Sequence, residues 1–480
     1  MAYIIGNRNQ KTLFPPTVED YVGTEDPVRA YDAFVEGMDF QEMGLPIISF
    51  KAGAYEYHPK PMVKLLIYGY SYGIRSSRKL ERACHHNLSF MWLVSGIQPD
   101  YRTIARFRKE NKEAIRQVLK LNVKLCIKLN LIEGNTLFID GSKFRANASI
   151  NNTWDEERCK KYLEMAEKTI DRLMEEVEQI DQEEEDLGSL VKVNKELQDQ
   201  KKLQEKVREI SKQLKETGKE KINSTDSDSV NGKSRQGSHA IMNCQISTDE
   251  KHGFIVNSDA VSQNNDLNQF ASQVEQSKET LERAPANVVS DAGYFSLDDI
   301  DKVPEGVKVI MPSRKQAQKE NKKTQVKPFG TEEFHYNKER DEYTCPAGKT
   351  LKKHKIAFGD ENKIDYKANG KECRSCEHFG VCTTSKKGRH IIRMKENEEL
   401  KAKLEETYQQ EEGQKLYKLR KEKVELPFGH MKRNLGAGQF LLRGKEGVNA
   451  ELSILSTCFN IARMITIIGI PTLIAKLNSM

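Results

Sequence analysis

Nowhere in the 480 residues is there an uninterrupted apolar run of the roughly 20 residues that a membrane-spanning helix needs. The nearest approach, from Leu452 to Leu477, is broken by Asn460, Arg463 and Pro471 and reads as a buried helix. Hydrophobic residues make up only 37% of the chain against 31% charged, and the mean hydropathy of −0.69 excludes a membrane channel. The opening run, MAYIIGNRNQ, lacks the basic start, apolar stretch and small-residue cleavage site of a secretion signal. Export is therefore not expected, and the cytoplasm is. Cysteine is scarce too, at nine residues. In a reducing compartment, clustered cysteines bind metal more readily than they pair as disulfides.

What the chain does have is length and unevenly placed charge. At roughly 100–200 residues per domain, two to four domains are expected. The net charge is only +6, but Tyr101–Asn130 holds nine basic residues against two acidic, and Gly413–Lys445 repeats that count. Between them, Asp155–Leu190 carries fourteen acidic residues against five basic. Two separated basic blocks suit a polyanionic partner such as DNA or RNA; taken singly, each also reads as a solvated helix face.

Residues 1–132 read as a mostly helical N-terminal domain suited to DNA binding. Pro61 opens an apolar segment, Ser76 or Ser77 suits a helix cap, and Asp100 precedes one long pattern through Ile104, Phe107, Ile115, Leu119 and Val123. Residues 133–154 begin an α/β core with the β-favouring run Asn135–Asp140. Over 155–221 the character changes: Leu163, Ala166, Ile170, Leu173, Val177 and Ile180 are spaced 3-4-3-4-3, and Leu203, Val207, Ile210 and Leu214 follow after Gly188. That spacing predicts an inserted coiled-coil helical hairpin. The core resumes over 222–312, with Asn223–Ser238 as a loop and Ala240–Ser247 and Phe254–Val261 as strands joined by a turn. A helix near 266–284, a strand Ala286–Asp291, a short helix around Leu297 and a strand Val307–Met311 complete a mixed sheet with helices on its faces. Residues 313–400 form a lysine-rich, cysteine-bearing insertion, and 401–480 hold a basic helix and a C-terminal helix.

Two strands are read as ending on aspartate, Phe138-Ile-Asp140-Gly-Ser and Val289-Ser-Asp291-Ala-Gly-Tyr. Carboxylates at neighbouring strand ends can hold a hard divalent cation such as Mg²⁺, although Asp-Gly and Asp-Ala-Gly are also ordinary turn signals. Glu425 supplies a third acid within a basic segment. It stands seven residues before Lys432, so on a continuous helix the two share a face with Tyr417, Lys421 and Phe428. Pro427 would kink that helix or mark its first turn.

These segments resemble the bacterial insertion-sequence DDE transposases, in the branch named for insertion sequence eleven-eighty-two within the wider IS-four-like group. The resemblance runs over nearly the whole chain: PDYRTIARFR, FIDGSKFRANAS, TDSDS, NCQISTD, VVSDAGY, VELPFGHMKRNLG and FLLRG. It implies a ribonuclease-H-like catalytic core with Asp140, Asp291 and Glu425 as the catalytic triad. It also implies two Mg²⁺ ions shared by these carboxylates, with Asp140 bridging both, for strand cleavage and strand transfer on DNA. In the wider group a tyrosine, arginine, glutamate and lysine stand at set spacings. Glu425 and Lys432 match; Tyr417 and Arg420 match each other, but Arg420 lies one residue too far from Glu425, and Lys421 has the right distance with only the charge. The phosphate-binding set expected from resemblance and charge is Tyr417, Arg420, Lys421, Lys432 and Arg433, with Arg102, Arg106 and Arg108 in the first basic block. The partners implied are double-stranded DNA, as element ends and target, and a second copy forming a homodimer on it, with no membrane; the chain would join the nucleoid when bound.

The cysteines divide into two classes. Cys373-x-x-Cys376, Cys382 and the knuckle-like Cys345-Pro-Ala-Gly are spaced as ligands of one structural Zn²⁺, with His378 as a replacement ligand. Cys84, Cys126, Cys159, Cys244 and Cys458 are scattered and read as buried residues, and His85-His86 as a polar helix face. Two competing functions are a catalytically decayed, transposase-derived DNA-binding protein and a ribonuclease H or other nuclease; the latter needs neither the insertions nor two basic blocks.

Overall fold

Asp26, Asn87 and Asp100 each accept a hydrogen bond from a backbone N–H two or three residues on, and each starts a helix. Such local signals organise the N-terminal third. In the computed structural model, residues 17–45, 47, 56–183, 187–234, 237–320, 329–330, 333–356, 363–394 and 398–479 are described. The opening MAYIIGNRNQ run, the tip of the acidic hairpin and parts of the 313–400 insertion lie outside them. The chain divides into two compact units, one of Met1–Asp266, Gln276–Arg283 and Glu422–Met480, the other of Leu267–Glu275 and Ala284–Lys421.

The first unit begins with helices Pro27–Glu36, Pro59–Ser71, Ser77–His86, Leu88–Leu93, Tyr101–Glu110 and Lys112–Lys128. The single long helix expected after Asp100 is two helices. Asn111 turns its side-chain amide back onto the Phe107 carbonyl at 2.8 Å, and this local competition for backbone partners breaks the run. The strands are β1 (Thr136–Arg145), β2 (Thr153–Trp154), β3 (Ile222–Asn223), β4 (Val230–Ser234), β5 (Gly237–Asp249) and β6 (Ile255–Val261). β5 is the hub, antiparallel to β1, β4 and β6. β4 lies inside the predicted loop Asn223–Ser238; its polar residues concealed a strand that pairs with the start of β5.

Helices Glu156–Glu183 and Leu187–Thr217 pack together. Cys159 near the start of the first shares a buried cluster with Val207, Ile210 and Leu214 near the end of the second, so the pair is antiparallel. Trp154 and Ile222, from the paired β2 and β3, close that cluster at its base.

The apolar C-terminal stretch is two helices, Gly444–Ile468 and Ile470–Asn478, parted at Gly469 with φ +80°; the first is long and apolar enough to cross a membrane, with 67% of its apolar window buried inside the protein. It packs on the Pro59–Ser71 and Lys112–Lys128 helices and on β6. Its asparagines serve the free edge of β6: Asn460 accepts from Ile255 N–H and donates to Ile255 C=O, both at 2.8 Å, while Asn449 accepts from Ala260 N–H at 2.6 Å. Polar groups that would be costly in a bilayer thus satisfy buried backbone. On the same helix Glu451 is fully buried against Arg75, at 2.9 Å.

The second unit contains the parallel pair β7 (Asn287–Val289) and β8 (Lys308–Ile310). It also holds a five-stranded antiparallel sheet, β9 (His335–Asn337), β10 (Glu342–Thr344), β11 (Thr350–Ile356), β12 (Lys363–Ala368) and β13 (His390–Met394), in sequence order across the sheet. Its core is small: Phe334, Leu351, Ile364, Tyr366, Ala368 and Ile391.

Removing one member of a buried ion pair leaves the other charge uncompensated, at a cost of roughly 3–5 kcal/mol. Arg75→Met should therefore lower the unfolding free energy by about that much, read as a drop in urea midpoint at unchanged slope. An unshifted midpoint would show that the Glu451 carboxylate does not depend on its partner.

Candidate active site

Successive side chains of a strand point to opposite faces, so Phe138, Asp140, Ser142 and Phe144 share one face of β1. Asp140 is not at the strand end. It lies mid-strand opposite Ile246, because β1 continues to Arg145 along the outer half of β5. On this face Lys432 donates from Nζ to Ser142 Oγ at 2.6 Å and stands 4.5 Å from the centre of the Phe144 ring. The Phe428 ring is 6.1 Å from Phe144. These contacts lay the C-terminal part of the helix Glu411–Arg433 on the Asp140 side of β1. Glu425, exposed to solvent, precedes Phe428 and Lys432 by three and seven residues and so shares their helix face. Pro427 lies within the helix, which continues through it. Gly436, with φ +61°, ends the turn that follows, and the chain then pairs with the end of β1 through Phe440 N–H to Arg145 C=O at 2.9 Å.

The opposite face of β1 is closed at Gly141. A Cβ there would stand 2.7 Å from Gln245 Nε2 and closer still to Asp266 Oδ1. The Asp-Gly pair is therefore a close-approach site within a strand, where the sequence allowed a turn. Lys432 is half-buried; burial pulls its ammonium below the ordinary lysine range, with the Cys244 thiol a smaller opposing influence.

Asp291 belongs to the second unit. Two residues beyond β7, it caps the short turn Ala292–Tyr294 by accepting from Gly293 N–H at 2.8 Å. Arg420, in the same unit, places Nη1 3.9 Å from Asp291 Oδ2 and lies against the Tyr417 ring at 5.6 Å, which meets Tyr408 edge-on. Of the two candidates for the arginine position, Arg420 is the one beside Asp291; Lys421 is exposed, as is Arg433.

In the first basic block Arg102 and Arg106 are exposed. Arg108 must be withdrawn as a DNA contact. It is buried, and its guanidinium donates to Tyr70 Oη, Arg75 C=O and Ser77 Oγ at 3.0, 2.9 and 3.4 Å. Sequence reasoning counted its charge but missed its orientation. It also missed Ser142 and Phe144 as the seat of Lys432, which the strand's two-residue alternation from Asp140 could have found.

Cys345, Cys373, Cys376 and Cys382 line one cavity of about 30 Å³, with His378 also on its wall. Cys345 Sγ accepts from Lys349 N–H at 3.2 Å. Burial pushes the Cys382 thiol up, and the other three thiols add to the effect. Among the described residues no group of three or more His, Cys, Asp or Glu side chains is arranged as a metal-holding set. The other five cysteines are buried, as expected, and His85 and His86 are exposed in the last turn of their helix.

Residues 344–465 match the family model described as a transposase DDE domain, and residues 16–110 match that of a second transposase domain, DUF772. Over these two stretches the chain is similar to transposases. The DDE match contains Glu425, Lys432 and the four clustered cysteines; residues 111–343, with Asp140 and Asp291, lie outside both matches. No curated protein and no solved structure matches the chain.

A lysine held below its ordinary pKa by burial weakens the folded state while it is charged. Lys432→Met should therefore keep or raise the thermal midpoint at neutral pH, and that advantage should shrink as the pH rises towards 10.5, where the unfolded lysine also loses its proton. A large loss of stability at neutral pH would instead make Lys432 a structural residue.

Proposed function

We propose that this protein is a DDE transposase of the branch named for insertion sequence eleven-eighty-two, cutting and joining the ends of its own element with Asp140, Asp291 and Glu425. The observation that carries the proposal is the seating of Lys432 and Phe428 on the Asp140 face of β1, which brings the Glu425 helix to the strand that bears the first carboxylate. Arg420 beside Asp291, on the same helix as Glu425, supports the third member. The antiparallel β6–β5–β1 set and the parallel β7–β8 pair are the strands that a ribonuclease-H-like core requires.

Three carboxylates are hard oxygen donors, the chemistry that suits Mg²⁺. Magnesium bound by Asp140, Asp291 and Glu425 would supply polarisation of the phosphoryl group and a water of lowered pKa. The chain's own part is binding and orientation. Lys432, fixed by Ser142 and poorly solvated, offers a phosphate oxygen a charge-assisted hydrogen bond, and Arg420 offers a planar fork for a second phosphate. In this reading the paired helices of residues 155–221 are a coiled-coil insertion. The four cysteines, by their type and spacing, would be the soft thiolate donors of one structural Zn²⁺ that stiffens a sheet whose own core is small. The work is done in the cytoplasm on double-stranded DNA by a homodimer.

Asp140→Asn, Asp291→Asn and Glu425→Gln should each reduce cutting of a duplex carrying the element's ends by at least about a thousandfold, since together they form the electrostatic seat of the transition state. Binding of that duplex should stay within about twofold. Wild-type chain that binds but never cuts would be the decayed form and would overturn the proposal. Cys376→Ser should release the zinc measured in purified protein and expose residues 333–394 to protease; protein without zinc would remove that site alone.

A further inference from the structure

Helix Ser77–His86 packs beside Tyr101–Glu110 within the first unit. Arg78, Lys79 and Arg82 on the first and Arg102, Arg106 and Lys109 on the second are all exposed. The guanidiniums of Arg78 and Arg102 both lie against the Tyr101 ring, at 4.9 and 5.7 Å, so one aromatic side chain ties the two rows together. Among the described residues none of the six makes an ion pair. Other surface lysines of this unit do: Lys60 pairs with Glu36, Lys112 with Glu446 and Lys124 with Glu42. The carboxylates on or capping these two helices are Glu81, Glu110 and Asp100, and Asp100 is engaged by Thr103 N–H.

We infer that these two helices form one surface for the sugar-phosphate backbone of duplex DNA, with Ser77–His86 as its unrecognised half. Residues four apart on a helix rise about 6 Å, enough for each to reach a separate phosphate. Arg78 and Arg82, like Arg102 and Arg106, can therefore engage neighbouring phosphates of one strand. The two rows, separated by the roughly 8–10 Å of packed helices, suit a broad double-stranded surface. Cations with no carboxylate paired to them keep their net charge to attract such a polyanion. The transposase reading enters only in naming DNA as the polyanion.

The test uses the full chain and a duplex fragment, with affinity measured between about 50 and 200 mM salt. Replacing Arg78 and Arg82 by Gln should lower the slope of log affinity against log salt by about 1.8, two phosphates at about 0.9 each, and weaken binding at least about tenfold at the low-salt end. The pair Arg78→Lys and Arg82→Lys keeps the charge and should restore the slope. Should the Gln pair unfold, Lys79→Gln with Lys109→Gln provides the same two-charge test. An unchanged slope in a folded variant overturns the surface, and so does wild-type preference for single-stranded over duplex DNA. Cutting is scored separately: a variant that loses slope in a chain that never cuts sinks the transposase mechanism and leaves the surface standing, and cutting with an unchanged slope does the reverse.

Discussion

Everything around the Asp140 strand depends on a carboxylate that cannot stay buried alone. Glu451 has no solvent exposure, and its two oxygens are taken up by Arg75 and by the backbone N–H groups of Leu441 and Leu442. Arg75 in turn donates to the carbonyls of Gly436 and Gln439, both at 2.8 Å, and its own carbonyl accepts from Arg108. One buried pair therefore joins the N-terminal helices, the core helix Gly444–Ile468 and the segment 436–442. That segment follows the Glu425 helix directly and is stitched to the end of β1. A buried ion pair contributes little net stability but fixes geometry, because any other arrangement leaves a charge unpaired at low dielectric. Here it sets the register in which the Glu425 helix meets the strand of Asp140.

The same economy of polar burial governs the core helix. Asn449 and Asn460 do for the edge of β6 what another strand would do, and Asn460 also reaches Asn122 on the Lys112–Lys128 helix. An edge satisfied from within cannot recruit another chain. Lys432 is the counterexample, a cation held where burial weakens its charge. Departures from the stability optimum of this kind collect at working sites, and this one lies on the face that bears Asp140.

Much of the architecture was legible locally. Asp100 caps its helix and Ser76 stands at the start of another, the alternation on either side of Asp249–Gly253 gave β5 and β6, and the apolar spacing over 155–217 gave two long helices that pack antiparallel. Where reading failed, a longer-range partner or a side-chain hydrogen bond had decided. The polar β4 is a strand because β5 is beside it. Asp140 is mid-strand because β5 extends past it, and Asn111 splits a periodic run by bonding its own preceding turn.

By itself, the sequence determined residue types and their local periodicities: three acids in strand or helix contexts, four thiols at ligand spacing, two basic blocks and one apolar core helix. These follow from short-range rules, since a cap, an alternation or a 3-4 spacing acts within a few residues. Only the tertiary structure decided which charges face inward. Arg108 and Arg106 are two residues apart in one basic block, yet one is spent on Tyr70, Arg75 and Ser77 and the other faces solvent. Likewise Arg420 and Lys421 are adjacent, and only Arg420 approaches Asp291. Adjacent side chains on a helix diverge by about 100°, so charge counted along the chain says nothing of direction until packing has chosen a buried side.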